Sequence, residues 1–245
     1  MKFIFISLNC PLAYWGDATP FNLGIVRNLG RLDFHPKVTY IVGDNGMGKS
    51  TLMEAIAVAW GFNPEGGTIN FTFSTRSTHS SLFEHIQLVR GPYRPKDGFF
   101  FRAESYYNLA STIDDLDLEY SFGPTLKQAY GGKSLHEQSH GESFFSTFLH
   151  RFGGMGLYIL DEPEAALSPL RQMSMLARIH ELVRQGSPFI ISTHSPILIA
   201  YPDSVIYNLS SEGIEIRSLE KTDHYVIMKE FLNNKDKMLG HLFEG

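Results

Sequence analysis

Two kinds of rhythm alternate along the second half of the chain. Leu157-Tyr158-Ile159-Leu160 and Phe189-Ile190-Ile191 are short unbroken apolar runs, and the stretches 142–152 and 169–185 repeat their apolar residues at helical spacing. A strand with apolar residues at every position is buried on both faces, so this order predicts a largely parallel sheet covered by helices. Val205–Leu209 and Ile214–Ile216 read as a closing hairpin, and 225–243 as helix. In the first half, the β-branched run Val38–Val42 leads through a glycine-rich turn to a helical pattern over Leu52–Trp60. Residues 1–42 read as two or three strands, with the first as an edge strand of the sheet. Residues 68–138 are less regular. They hold a Ser/Thr-rich strip over 72–81, a helical pattern over 82–89, a loop at 91–96, a strand over 99–104 and an acidic, solvated segment over 113–119. This region reads as a lobe inserted into one α/β domain with a mixed sheet and flanking helices.

Composition narrows the setting. The chain has 245 residues, 43% of them hydrophobic, enough for a substantial core. The net charge of −5 announces no nucleic-acid surface. Cys10 is the single cysteine, so no intrachain disulfide forms, and a reducing cytoplasm fits. Met1–Cys10 loosely imitates a lipoprotein leader, but its apolar core is short and Asn9 is a poor residue before the cysteine. No apolar run reaches the ~18 residues of a membrane span, so a membrane role would require another chain to make the crossing.

Candidate chemistry gathers at three strand ends. Gly43-Asp44-Asn45-Gly46-Met47-Gly48-Lys49-Ser50-Thr51 fits G-x-x-x-x-G-K-[ST] between a strand and a helix. In that context the glycines let backbone N–H groups curl around phosphates, and the helix dipole adds positive charge there. Lys49 can reach the β- and γ-phosphates, and the Ser50 hydroxyl can bind Mg²⁺. Asp161 and Glu162 end the second apolar strand. The first carboxylate suits the magnesium shell, and the second can face an attacking water as general base. His194 ends the third strand, on the same edge of a parallel sheet, where it can contact a γ-phosphate. Ser139 and Gly141 precede the helix over 142–152 and can hydrogen-bond a phosphate.

These pieces, in this order, resemble the ABC-class ATPases over nearly the whole chain. The loop and Asp161 are similar to the Walker A and Walker B motifs, Glu162 to the catalytic glutamate and His194 to the switch histidine. Ser139-His140-Gly141-Glu142 resembles a divergent L-S-G-G-Q signature, with Gln138 where leucine is usual. Ser168 stands in place of the D-loop aspartate, and Arg102 or Glu104 stands near the Q-loop position. The resemblance implies a P-loop NTPase fold, ATP and Mg²⁺ as ligands, and a nucleotide-dependent homodimer. Each ATP would lie between Walker A of one chain and the signature of the other.

Asp161-Glu162-Pro163-Glu164 and Thr193-His194-Ser195-Pro196 resemble the soluble branch of RecF-like, chromosome-maintenance and overcoming-lysogenization-defect ATPases. DNA or a partner protein would then be the client. The alternative is the ATP-binding subunit of a transporter. A remote third reading is a zinc hydrolase through the H-E-x-x-H string His136-Glu137-Gln138-Ser139-His140, which requires a helix and a third ligand. An aromatic of the Ala13–Asp17 loop, Tyr14 or Trp15, could stack on adenine.

Overall fold

The computed structural model describes residues 5–8, 20–21, 23–69, 80–92, 94–106, 111, 130 and 140–244. In chain order, strand β1 (Phe5–Leu8) precedes a one-turn helix α1 (Gly24–Arg27), strand β2 (Val38–Gly43) and helix α2 (Lys49–Trp60). Then come helix α3 (Leu82–His85), strand β3 (Ile86–Val89) and strand β4 (Asp97–Arg102). Helix α4 (His140–Arg151), strand β5 (Gly156–Asp161), helix α5 (Pro169–Arg184) and strand β6 (Phe189–Ser192) follow. The chain continues with helix α6 (Pro196–Ile199), strands β7 (Ser204–Ser210) and β8 (Gly213–Ile216), and helices α7 (Asp223–Asn233) and α8 (Lys235–Glu244).

Among the described residues the main sheet has six strands in the order β4-β5-β6-β2-β7-β8. Every neighbouring pair is parallel except the β7–β8 hairpin, so the sheet is mixed. The unbroken apolar runs are explained by a sheet covered on both sides. Val38, Tyr40, Phe99, Phe101, Tyr158, Leu160, Phe189 and Ile191 join one core with α4 and α5. Their alternate neighbours Ile41, Phe100, Leu157, Ile159 and Ile190 join a second core with α1, α2, β1 and β3. Side chains of successive strand residues point to opposite faces, so both sets must be apolar.

The α4 face is an aromatic layer. Phe101 stacks on Phe144 at 3.9 Å, Phe152 on Tyr158 at 4.3 Å, and Phe148 meets Phe152 edge-on at 5.0 Å. Large rings at helical spacing on α4 thereby fix its height above the strands. Arg151, in the last turn of α4, forks onto Asp97 at the start of β4 with bonds of 2.8 and 2.9 Å. Helix α5 starts where Pro169 sets the backbone at its first position and the Ser168 hydroxyl accepts the Arg171 N–H.

Three expectations change. The first strand does not edge the main sheet. It pairs antiparallel with β3 in a separate two-stranded sheet and bridges Leu32 through Ile6. The stretch before β2 contains the helix α1, where strands were expected. The helix expected over 82–89 stops at His85. Ile86-Gln87-Leu88-Val89 becomes β3, because the polar-apolar alternation of Gln87 and Leu88 suits a strand and β1 supplies a hydrogen-bonding partner.

Asp97→Ala should lower stability by about 2–3 kcal/mol, since it leaves the half-buried Arg151 guanidinium without its bidentate partner. Thermal melting compared with the wild type checks this.

Candidate nucleotide-binding site

Strand β2 ends at Gly43, and the loop to α2 closes on itself. Met47 N–H donates to the Asp44 carbonyl at 3.4 Å, and Lys49 Nζ donates to the carbonyls of Gly43 and Asp44 at 2.9 and 3.1 Å. Gly48 caps α2 in the left-handed region, φ +86°, with Ile25 Cδ1 only 2.9 Å from where a Cβ would stand. The left-handed backbone disfavours any side chain there, and one would also have to push aside the tips of Ile25 and Leu23. Leu23, Asn45, Gly46, Gly48, Lys49, Ser50, Thr51, Glu104 and Glu162 line one cavity of about 410 Å³.

The parallel register brings two more strand ends to this cavity. Asp161 pairs with Ser192, and Ile41 pairs with Ser192 on the other side. Asp161 is buried. Its carboxylate accepts hydrogen bonds from Ser192 Oγ and from the Ser50 side chain. Burial raises its pKa, and these bonds together with nearby Arg102 oppose the rise. Glu162 turns out of the strand with φ +51°, held by its N–H donating to the Ser192 carbonyl at 3.0 Å. A non-glycine residue in that region stores about 1–2 kcal/mol of strain, and the turn places Glu162 among the cavity residues. Burial also lowers the pKa of Lys49, against the attraction of Glu162, Asp161, Asp44 and Glu164.

His194 follows β6. Its Nε2 lies 3.4 Å from Glu162 Oε1, an ion-pair distance without hydrogen-bond alignment, so this buried nitrogen has no hydrogen-bond partner. Its backbone N–H donates to Glu164 Oε1 at 2.6 Å. Burial raises the pKa of Glu164, opposed by hydrogen bonds from the His194 backbone and the Thr193 side chain. Glu164 therefore pins the loop that carries His194.

Gly43, Asp44, Asn45, Gly46, Met47, Gly48, Lys49, Ser50 and Thr51 thus form one loop and helix start. Asp161, Glu162 and His194 meet it at the sheet edge. Gly141 does not line this cavity. It lies in the first turn of α4, where a Cβ would stand 2.1 Å from the Ala166 carbonyl, so only glycine lets the two backbones approach. Ser139, the 136–139 part of the H-E-x-x-H string and the Ala13–Asp17 loop lie outside the described residues. Among the described residues no group of three or more His, Cys, Asp or Glu could hold a metal on its own.

Of the two Q-loop candidates, Glu104 lines the cavity, while Arg102 stands abreast of Asp161 and pairs with Glu54 at 2.6 Å. Sequence reasoning missed Leu23 and His224. His224 packs edge-on against His194, from helix α7. Neither carries a motif. The one available hint was that the tail is helical and long enough to return to the sheet edge.

A family model described as "AAA domain" matches residues 21–100, less than half of the chain. The chain is 24% identical over 188 residues to an ABC transporter ATP-binding/permease protein of Mycobacterium tuberculosis, covering 69% of this chain and 20% of that one. It is 28% identical over 178 residues to an uncharacterized ABC transporter ATP-binding protein of Haemophilus influenzae, covering 67% and 66%. It is 27% identical over 197 residues to the cobalt import ATP-binding protein CbiO of Salmonella paratyphi A, covering 73% and 69%. The chain therefore spans a fifth of the first relative and about two thirds of the second.

The solved structure of an ATP-binding subunit of an ABC transporter superposes with TM-score 0.50 at 19% identity, over 94% of this chain and 93% of that one. An ATP-binding cassette of an ABC transporter in its ADP conformation gives TM-score 0.50 at 16% identity, over 99% of both chains. The fold is the α/β P-loop fold of the ABC cassettes, and the chain is similar in sequence to ABC ATP-binding proteins, with the motif residues gathered at its sheet edge. These relatives support the transporter alternative better than the RecF-like branch expected from Glu164 and Ser168.

Glu164→Ala should cost about 1–3 kcal/mol of stability and slow turnover, because it orphans the buried N–H of His194. Glu164→Gln keeps an acceptor oxygen and should stay close to wild type in both. Melting curves and steady-state hydrolysis of the two variants check this.

Proposed function

We propose that this chain binds Mg-ATP in the cavity at the sheet edge and hydrolyses it as the motor of a larger assembly. The observation that carries this reading is the meeting of Lys49, Ser50, Asp161, Glu162 and His194 at the ends of three adjacent strands. Lys49 and the loop amides hold the β- and γ-phosphates. The touching Ser50 hydroxyl and Asp161 carboxylate form a hard oxygen pair suited to Mg²⁺. Four carboxylates, Asp44, Asp161, Glu162 and Glu164, act on the Lys49 ammonium, a charge balance that favours a divalent cation beside the phosphates. When bound, the cation would offset phosphate charge. Glu162 accepts the proton of the attacking water, and His194 contacts the γ-phosphate.

Residues 1–245 act as one cassette, in which the stretch 68–138, first read as an inserted lobe, supplies β4 to the main sheet and leads to the signature helix. Gly141, seated away from the cavity on Ala166, supports a site completed in trans: Ser139 and Gly141 of a second copy would close on the nucleotide. Hydrolysis then separates the two copies. The transporter names of the relatives favour membrane components as the partners. Among the described residues no helix is long and apolar enough to cross a membrane, which fits a peripheral subunit. A second reading, a nucleic-acid or partner-enzyme client, is favoured by Glu164 and by Ser168, which caps α5 where an aspartate is usual.

Glu162→Gln should lower kcat by about 10²–10⁴-fold while retaining ATP, and size-exclusion chromatography with Mg-ATP should show it accumulating as a dimer. Lys49→Ala should weaken ATP binding by about 10- to 100-fold in a fluorescence titration. In detergent extracts, Glu162→Gln should co-purify with an integral membrane protein. Hydrolysis stimulated several-fold by DNA, with no such companion, favours the second reading.

A further inference from the structure

The sheet edge at His194 receives a residue from outside the motifs. Helix α7 begins beside the site, and its second residue, His224, meets the His194 ring edge-on, with centroids 4.9 Å apart and planes at 65°. The start of the helix is well anchored. Thr222 is fully buried and its hydroxyl donates to the Leu219 carbonyl at 2.7 Å. Val226 N–H donates to the Thr222 carbonyl at 3.0 Å, and Arg217 reaches Asp223 at 3.7 Å. The helix also packs on α6, which directly follows His194-Ser195. Past its buried cap Thr222, α7 buries no residue. Its fixed point in the fold is therefore the turn that presents His224.

His194 itself is half tethered. Glu164 holds its backbone, but the imidazole makes no hydrogen bond through Nε2 and lies near Glu162 without alignment. Two side-chain torsions remain to be set before Nε2 can point at a phosphate, and the ring of His224 supplies the contact that sets them. Burial, together with neighbouring His194 and Lys49, lowers the pKa of His224 against the pull of Asp44 and Asp223. A neutral ring can pack there without adding a cation beside Lys49.

We propose that His224 is a positioning residue for hydrolysis: its ring, delivered by helix α7, holds the His194 imidazole in the orientation that meets the γ-phosphate. The inference rests on His194 acting as that contact. The test is steady-state hydrolysis by the full chain for His194→Ala, His224→Ala, His224→Phe and the double alanine variant. His224→Ala should lower kcat about 3- to 10-fold with KM for ATP within about twofold. His224→Phe, which keeps an edge-to-face ring, should recover at least half of the wild-type kcat. The double variant should be no slower than His194→Ala, because the effect of His224 runs through His194.

Wild-type kcat in His224→Ala, a slow His224→Phe, or losses that multiply in the double variant each overturn the inference. If His194→Ala itself turns over like wild type, the reading of His194 falls and this inference falls with it. A slowed His194→Ala beside an unaffected His224→Ala overturns the inference alone.

Discussion

The carboxyl ends of β2, β5 and β6 lie side by side because the three strands run parallel and in register, with Ser192 abreast of both Ile41 and Asp161. Every proposed role depends on that alignment. The chain leaves β2 at Gly43 into the phosphate loop, leaves β5 at Asp161 into Glu162, and leaves β6 at Ser192 into His194. An antiparallel neighbour would carry one of these groups to the opposite edge. The aromatic layer beneath α4 and the apolar face of α2 hold the strands in this arrangement from the two sides. Fold stability and site geometry thus share one cause, the burial of both sheet faces.

Charge is the second constraint. Burying Asp161 and Lys49 is costly unless each finds partners. The structure answers with close ones: two hydroxyls for Asp161, and two backbone carbonyls for Lys49. The carbonyls that hold Lys49 Nζ belong to the same loop that would wrap the phosphates. Phosphate oxygens are stronger acceptors than carbonyls, so Lys49 can exchange one set for the other with little movement. The left-handed turn at Glu162 adds backbone strain at the residue proposed as the base, and such strain concentrates at functional sites.

How far the sequence disclosed this differs from part to part. The buried strands were readable because Leu157–Leu160 and Phe189–Ile191 have no polar position, which leaves a covered parallel sheet as the simple solution. The loop and the acidic pair were readable because phosphate chemistry demands fixed spacings along a contiguous stretch. What failed was short or distant. Ile86–Val89 is only four residues long, and its state is decided by pairing with β1, which local pattern does not reveal. Gly24–Arg27 is a single turn held by packing. His224 reaches His194 only through the tertiary return of α7, and the pattern of the tail marks it as helical without saying where its first turn lands. Arg102 and Glu104 could not be separated until β4 was seen abreast of β5.

The central claim is that one edge of one sheet forms a clamp for a triphosphate and its cation. Calorimetric titration of the purified chain with ATP, with and without Mg²⁺, tests it most directly. The account predicts one nucleotide per chain, bound more tightly with the cation present, and a loss of that cation dependence when Asp161 is replaced by alanine. Absence of binding heat at millimolar ATP in the presence of Mg²⁺ would contradict it.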